Sequence, residues 1–325
     1  MQSTDIPTRS RYAEPLDAIV LAGTDRNPRR LINGQNKALL EIAGQALVRR
    51  VVDALLQAES IGQVFVVGPV EHLQEVLAGL PETVVLVPQA GEMLANAWQA
   101  IDVSEERFRL RQGHDDTDRP LLFISSDLPL VSAAAVDDFV GRCAAEDQGT
   151  AGHFSMLAGV AEEASLLSFY PEEGQPGIVR PYVHLADCRL RLANIYVGRP
   201  RTLAHQEFLQ TGFEHRKAEK WKNVLGLAWR FLGQAGGLRA AWFTLRLQAT
   251  LLAARGPGFV YRLLRRRNTR PRVEQACSTV LGGPVKIVIT PYGGLSLDVD
   301  NDQDFAMLSA CFEKWSGAGL VEPRI

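Results

Sequence analysis

The chain has 325 residues, 46% of them hydrophobic and 22% charged. That balance suits a folded protein of one large or two modest domains, and it excludes a disordered or collagenous chain. Lys+Arg 35 against Asp+Glu 37 gives a net charge of −2, so the molecule as a whole is no polyelectrolyte binder. Cys143, Cys188, Cys277 and Cys311 form no CxxC pair, which argues for reduced thiols rather than a zinc ribbon or disulfide framework. The first residues lack an apolar h-region, and no stretch approaches about 20 apolar residues without a charge. A cytoplasmic protein is therefore expected, peripheral at a membrane if it meets one.

Residues 1–16 read as a flexible tail. Beyond them, short apolar runs alternate with helical periods. The runs at 17–23, 63–68, 83–88, 121–127 and 152–160 predict strands. The segments 45–58, 71–80, 92–101 and 132–145 predict helices, the last capped by Ser132. RLRLANIYV (189–197), VKIVIT (285–290) and LSLDVD (295–300) predict further strands, and 301–315 a closing helix capped by Asn301 or Asp302. Residues 200–280 read as mostly helical, with breaks near Gly236-Gly237 and Gly256-Pro257-Gly258. Continuous apolar strands alternating with helices predict a three-layer α/β/α fold with a mostly parallel sheet. Such sheets bind ligands beyond their strand carboxyl ends.

Four features fall at those ends. LAG (21–23) leads into a loop carrying Arg26, Arg29, Arg30 and Lys37, a turn whose N–H groups and cations suit phosphate. No GK[ST] and no GxGxxG is present, which excludes a P-loop and a dinucleotide fingerprint. Asp127 follows an apolar strand and suits a hard cation such as Mg²⁺. Asp298 and Asp300, two apart on the expected strand 295–300, would share a face, with Asp300 the better placed to meet Asp127 across a metal. Gln89, Gly91 and Asn96 surround a strand-to-helix turn whose amides could read a nucleobase.

In order and spacing, LAG (21–23), KALLEIAGQALV (37–48), GEMLANAWQA (91–100), SDLP (126–129) and LDVDNDQDF (297–305) resemble the MobA-like, GT-A-fold nucleotidyltransferase superfamily. The resemblance implies nucleotide binding by Leu21, Ala22, Gly23 and Thr24, phosphate contact by Lys37, and metal binding by Asp127 and Asp300. It implies a Mg²⁺-dependent transfer from a nucleoside triphosphate to a small phosphorylated or hydroxyl acceptor, with Arg26, Lys37 and Asp127 as catalytic residues. The chain departs from the family pattern at Thr24 and Asp25, where glycines are usual, and at Asn36, where proline is usual. Those departures define the alternative reading, a catalytically weak nucleotide-binding sensor or scaffold of the same fold.

The core is expected at 17–199 with 281–318, and a basic helical insert at 200–280. Within 216–272 there are 14 cations against the single acid Glu219, a net of +13 that leaves −15 elsewhere. Trp221, Trp229 and Trp242 accompany them. Basic residues mixed with aromatics on helices suit an anionic membrane surface, while a nucleic-acid partner is not expected. Tyr182, His184 and Asn194, on or before the strand at 189–197, are the residues expected to face the acceptor.

Overall fold

A computed structural model describes residues 11–23, 31–32, 34–149, 153–172, 174–206, 237–254 and 258–317. Its centre is a sheet in the order β5 (Val84–Pro88), β4 (Ile61–Gly68), β1 (Leu16–Leu21), β6 (Leu121–Ser125), β9 (Arg189–Gly198), β7 (Met156–Glu162), β10 (Val285–Thr290). β8 (Val183–His184) adds to β9. The short strands β2 (Glu41–Ile42) and β3 (Gln45–Ala46) form a separate hairpin. β9 is antiparallel to both neighbours, and the other pairings along the main path are parallel.

The apolar runs explain this arrangement. Every residue of β1 from Leu16 to Val20 is buried, as a central strand covered on both faces demands. Its side chains alternate between two cores. Ala18 and Val20 join the cluster holding Val51 and Leu55 of α1 (Leu47–Gln57) and Phe139 of α4 (Ala133–Gln148). Ile19 joins Phe65, Ala100 and Ile101 on the opposite face, under α3 (Met93–Gln112). The expected three layers follow directly. Ser132 caps α4 through its side chain, which accepts from the Ala135 N–H, as its position suggested.

Chain order places the crevice. After β1 the chain crosses to β4 on one side, and α3 then carries it back to β6 on the other. The carboxyl end of β1 is therefore a topological switch point. Bonds stitch the loops there. The Ala22 N–H donates to Val67 O at 2.9 Å, Gln89 N–H to Gly68 O at 3.1 Å, and the Ser126 hydroxyl to Leu21 O at 2.9 Å.

Three expectations need correction. Residues 295–300 form no strand. Leu295, Leu297 and Val299 alternate as a half-buried strand would, but Ser296 and Asp298 between them are buried as well. The segment is a 3-10 turn (Gly293–Ser296) and a loop whose carbonyls are taken by side chains. Arg191 donates to Ser296 O, Arg180 to Asp298 O and Lys37 to Val299 O. Residues 11–16 are not a loose tail, since the Tyr12 hydroxyl donates to Asp147 at 2.9 Å and Leu16 opens β1. The third helix runs to Gln112, well past Ile101, and ends at Gly113 in the left-handed region.

The basic region includes α5 (Gly237–Ala253), α6 (Gly258–Arg265) and α7 (Arg270–Leu281), while α2 (Val70–Val76) and α8 (Asp302–Gly317) complete the described α-helices. Trp221 and Trp229 lie outside the described residues. Asn301 caps α8, accepting from the Asp304 N–H at 2.9 Å. Among the described residues no helix is long and apolar enough to cross a membrane.

Candidate active site

Lys37 opens a 3-10 turn, Lys37–Leu39, capped by Asn36. The Asn36 side chain works in both directions. Its Oδ1 accepts from the Ala38 N–H at 3.1 Å, and its Nδ2 donates to Ala22 O at 3.0 Å. The residue that departs from the family's proline thus ties the lysine turn to the turn after β1. The sequence signal was the known preference of asparagine for caps.

From this turn the Lys37 ammonium meets two carboxylates, Asp127 Oδ2 at 3.5 Å and Asp300 Oδ1 at 3.6 Å. Val299 O accepts from the same ammonium, and the Val299 N–H donates to Asp127 O at 3.2 Å. The two acids come from positions 127 and 300, yet one cation touches both.

Asp127 is buried, and the Ser125 hydroxyl donates to its Oδ1. Burial pushes its carboxyl above the ordinary carboxylate range, and Asp298 and Asp300 push the same way. Lys37 and the Ser125 hydroxyl hold it down. Carboxylates this close stay ionised together only beside a cation, here the Lys37 ammonium. Asp298, expected to share a face with Asp300, also raises Asp127 but has its own cation, Arg191 at 3.4 Å. Asp300 is positioned by its surroundings. Its N–H donates to Asp304 Oδ2 at 3.1 Å, and the buried Arg180 bonds that same oxygen at 2.8 Å. Arg180 and Arg191 were not foreseen in these roles, because their partners lie 118 and 107 positions away.

The other side of the crevice is built on Gly23. A Cβ there would lie 2.5 Å from Asn96 Nδ2, with Gln89 Oε1 at 3.7 Å. Asn96 cannot swing aside cheaply. Its Oδ1 accepts from the Ala90 and Gly91 N–H groups at 2.6 and 3.0 Å, and its Nδ2 donates to Gly91 O at 3.3 Å. Gly91 needs its glycine, with φ at +141°. The Asn96 amide therefore clamps its own loop in this structure, and base reading by it would require that clamp to open. Gln89 is exposed and Gly91 half-buried in that loop. Thr24 and Arg26 lie outside the described residues, as does Asp25.

The residues expected to face the acceptor separate. Tyr182 is buried among Phe169, Leu297 and Val299, and its oxygen accepts from the Tyr170 hydroxyl at 2.9 Å. Burial and Tyr170 push its own ionisation upward. His184 contacts Tyr261 of α6, Nδ1 to hydroxyl at 2.9 Å, so the basic helices take the face it was expected to offer. Burial, Arg189 and Arg265 lower its pKa. Asn194 is buried on β9, next to the Ile195–Ile124 pair that joins β9 to β6.

Among the described residues no cluster of three His, Cys, Asp or Glu is arranged to hold a metal. The donor chemistry still fits a hard cation. Two carboxylates converge on one positive charge, and Mg²⁺ characteristically takes one or two carboxylates and completes its shell with water and substrate phosphate.

No curated protein sequence matches the chain. Among solved structures, a hypothetical transferase from Thermus thermophilus is similar with 21% identity and a TM-score of 0.54, covering 89% of this chain and 99% of that one. A 4-diphosphocytidyl-2C-methyl-D-erythritol synthase from Anaerococcus prevotii has 8% identity and a TM-score of 0.46, over 92% and 96% of the two chains. A CMP-2-keto-3-deoxy-manno-octonic acid synthetase complexed with CTP has 12% identity and a TM-score of 0.47, over 93% and 99%. The first likeness supports the GT-A-like fold, and the other two superpose too loosely to carry more. The sequence matches the MobA-like NTP transferase domain over residues 18–185, just over half of its length. With that match, and a crevice at the switch point of a mostly parallel sheet, the chain belongs to the MobA-like NTP transferase family.

Proposed function

We propose that the chain is a Mg²⁺-dependent nucleotidyltransferase that moves a nucleoside monophosphate from a nucleoside triphosphate to a small phosphorylated or hydroxyl-bearing acceptor. The observation that carries this reading is the convergence of Asp127 and Asp300 on one ammonium beside the turn that ends in Gly23. In the reaction an acceptor oxygen attacks the α-phosphorus in line. The new P–O bond forms as the bond to the β-phosphate oxygen breaks, and pyrophosphate leaves with the electron pair. An acceptor phosphate is already anionic and needs no base.

The protein's part is positioning and charge. Leu21 and Ala22, whose main-chain groups bond Ser126, Val67 and Asn36, would fix the turn so that the Gly23 backbone meets the phosphates, with Thr24 following. Gln89 and Gly91 line the nucleotide side, and Asn96 holds their loop in shape. Lys37 neutralises charge that grows on the α-phosphate and the leaving group, and Arg26 adds to it. Asp127 and Asp300 would hold Mg²⁺, which when bound neutralises nucleotide oxygens. With those carboxylates engaged, Lys37 would be free to turn to phosphate. Tyr182, His184 and Asn194 are assigned to the acceptor side as supports of β8 and β9. The core at 17–199 with 281–318 carries the chemistry, and 200–280 a separate role. A cytoplasmic location is the matching proposal.

Pyrophosphate release with CTP, GTP, ATP or UTP, Mg²⁺ and a panel of sugar and alcohol phosphates tests this. Turnover with one pair, lost on adding EDTA, is expected. Binding of every triphosphate with no turnover would favour the weak sensor instead.

A further inference from the structure

The basic helices show an organised outer face. Residues 237–272 contain nine arginines and neither aspartate nor glutamate. Trp242 on α5 is 68% exposed, and Phe259 and Leu263 on α6 are 67% and 63% exposed. Along α6 and into the turn after it, Phe259, Arg262, Leu263 and Arg266 recur at helical spacing, and all four are exposed. The opposite side of α6 faces the core, through Tyr261 on His184 and the Arg265 guanidinium donating to Leu185 O. The orientation is fixed further by Asn268, whose carbonyl accepts from the Ala186 N–H at 2.7 Å.

Beside Leu263, the side chains of Arg266, Arg267, Thr269 and Arg272 surround a recess of about 390 Å³. The hydrogen-bond partners of Arg262 and Arg272 here are main-chain carbonyls, Gly258 O at 3.2 Å and Arg267 O at 2.9 Å. Arg246 has its pKa lowered by burial and by Arg272 and Arg267, so the cations crowd one another. Such a face combines large exposed apolar groups with clustered guanidinium charge.

We propose that α5, α6 and α7 form a docking surface for an anionic phospholipid bilayer. Trp242, Phe259 and Leu263 enter the acyl boundary, while Arg262, Arg266, Arg267 and Arg272 meet lipid phosphates, the recess taking one headgroup. Long arginine stems suit this depth, with apolar carbons below and charge at the phosphates. Charge complementarity selects the occupant. The segment 216–272 carries +13 while the remainder carries −15. The acidic body is repelled by an anionic surface, so contact is confined to the helices. An exposed aliphatic such as Leu263 gains nothing from a nucleic acid, which favours lipid. This proposal is independent of the catalytic one.

The full chain is mixed with sedimenting vesicles of phosphatidylcholine alone, or with 30% phosphatidylglycerol, at low and moderate salt. Recovery on anionic vesicles only, falling with salt, is expected. Arg266→Glu with Arg267→Glu should lower partitioning at least 25-fold, about five-fold per arginine removed. Phe259→Ala with Leu263→Ala should lower it about ten-fold or more. Trp242→Ala, at an exposed side chain, gives a second readout should either pair melt early. Equal recovery on both vesicle types, or arginine variants that pellet like the parent, overturns the proposal. Tighter binding to an oligonucleotide duplex than to vesicles at equal phosphate overturns it in favour of nucleic acid.

Discussion

Replacing Lys37 by Met removes the ammonium and keeps the stem. Two carboxylates then face each other with their shared cation gone. At 3.5 and 3.6 Å, each ion pair carries about 4–5 kcal/mol of Coulomb attraction at an effective dielectric near 20. The net loss is smaller, because Asp127 takes up a proton instead. Its carboxyl is already pushed up by burial, and Lys37 is the largest influence holding it down. In the variant it rises further. A folded carboxyl with raised pKa keeps a proton that the unfolded chain releases. Stability therefore falls as pH rises from the unfolded value, about 4, through the folded value. The variant should match the parent within about 1 kcal/mol at pH 5 and be about 2–4 kcal/mol less stable at pH 8. That gap corresponds to a melting temperature lower by roughly 4–8 °C. Mg²⁺ should recover part of the deficit, since it supplies the missing positive charge. Thermal denaturation across pH 5–8, with and without Mg²⁺, measures both effects. A gap that does not change with pH, or a variant indifferent to Mg²⁺, would refute this reasoning.

Asp127→Asn should abolish pyrophosphate release, while its melting temperature at pH 7.5 stays within about 2 °C of the parent, because ionising Asp127 is itself costly. A fall of 8 °C or more would make Asp127 a structural residue. Gly23→Ala should raise the triphosphate KM about ten-fold or more, since its Cβ would sit 2.5 Å from Asn96 Nδ2. Combining it with Asn96→Ala should be less than additive in melting temperature, and strict additivity would deny the contact. Arg180→Met strips the buried partner from Asp304 and should cost about 3 kcal/mol by urea denaturation, with a parallel loss of transfer through Asp300. Unchanged turnover would separate Arg180 from the placement of Asp300.

The alternation of strand and helix was legible because each buried strand is a continuous apolar run. The placement of Asp127 was legible because it follows an apolar strand, and that of Lys37 through the resemblance of KALLEIAGQALV (37–48) to the family pattern. The closing segment was not. Leu295, Leu297 and Val299 give the period of a strand, but burial on all sides and carbonyls taken by Arg180, Arg191 and Lys37 make it a loop. Pattern registers local periodicity and is blind to partners from remote positions. The same blindness hid Tyr261 behind His184, 77 positions later in the chain. Asn36 was read only as a departure from proline, whereas its amide joins the lysine turn to Ala22.

The most direct measurement is anomalous diffraction from crystals grown with Mn²⁺ and a non-hydrolysable nucleoside triphosphate. The account predicts a Mn²⁺ peak about 2.2 Å from oxygens of both Asp127 and Asp300, bridging to nucleotide phosphate, with the Lys37 ammonium turned to that phosphate. Nucleotide bound elsewhere, or a Mn²⁺ peak touching neither carboxylate, would contradict it.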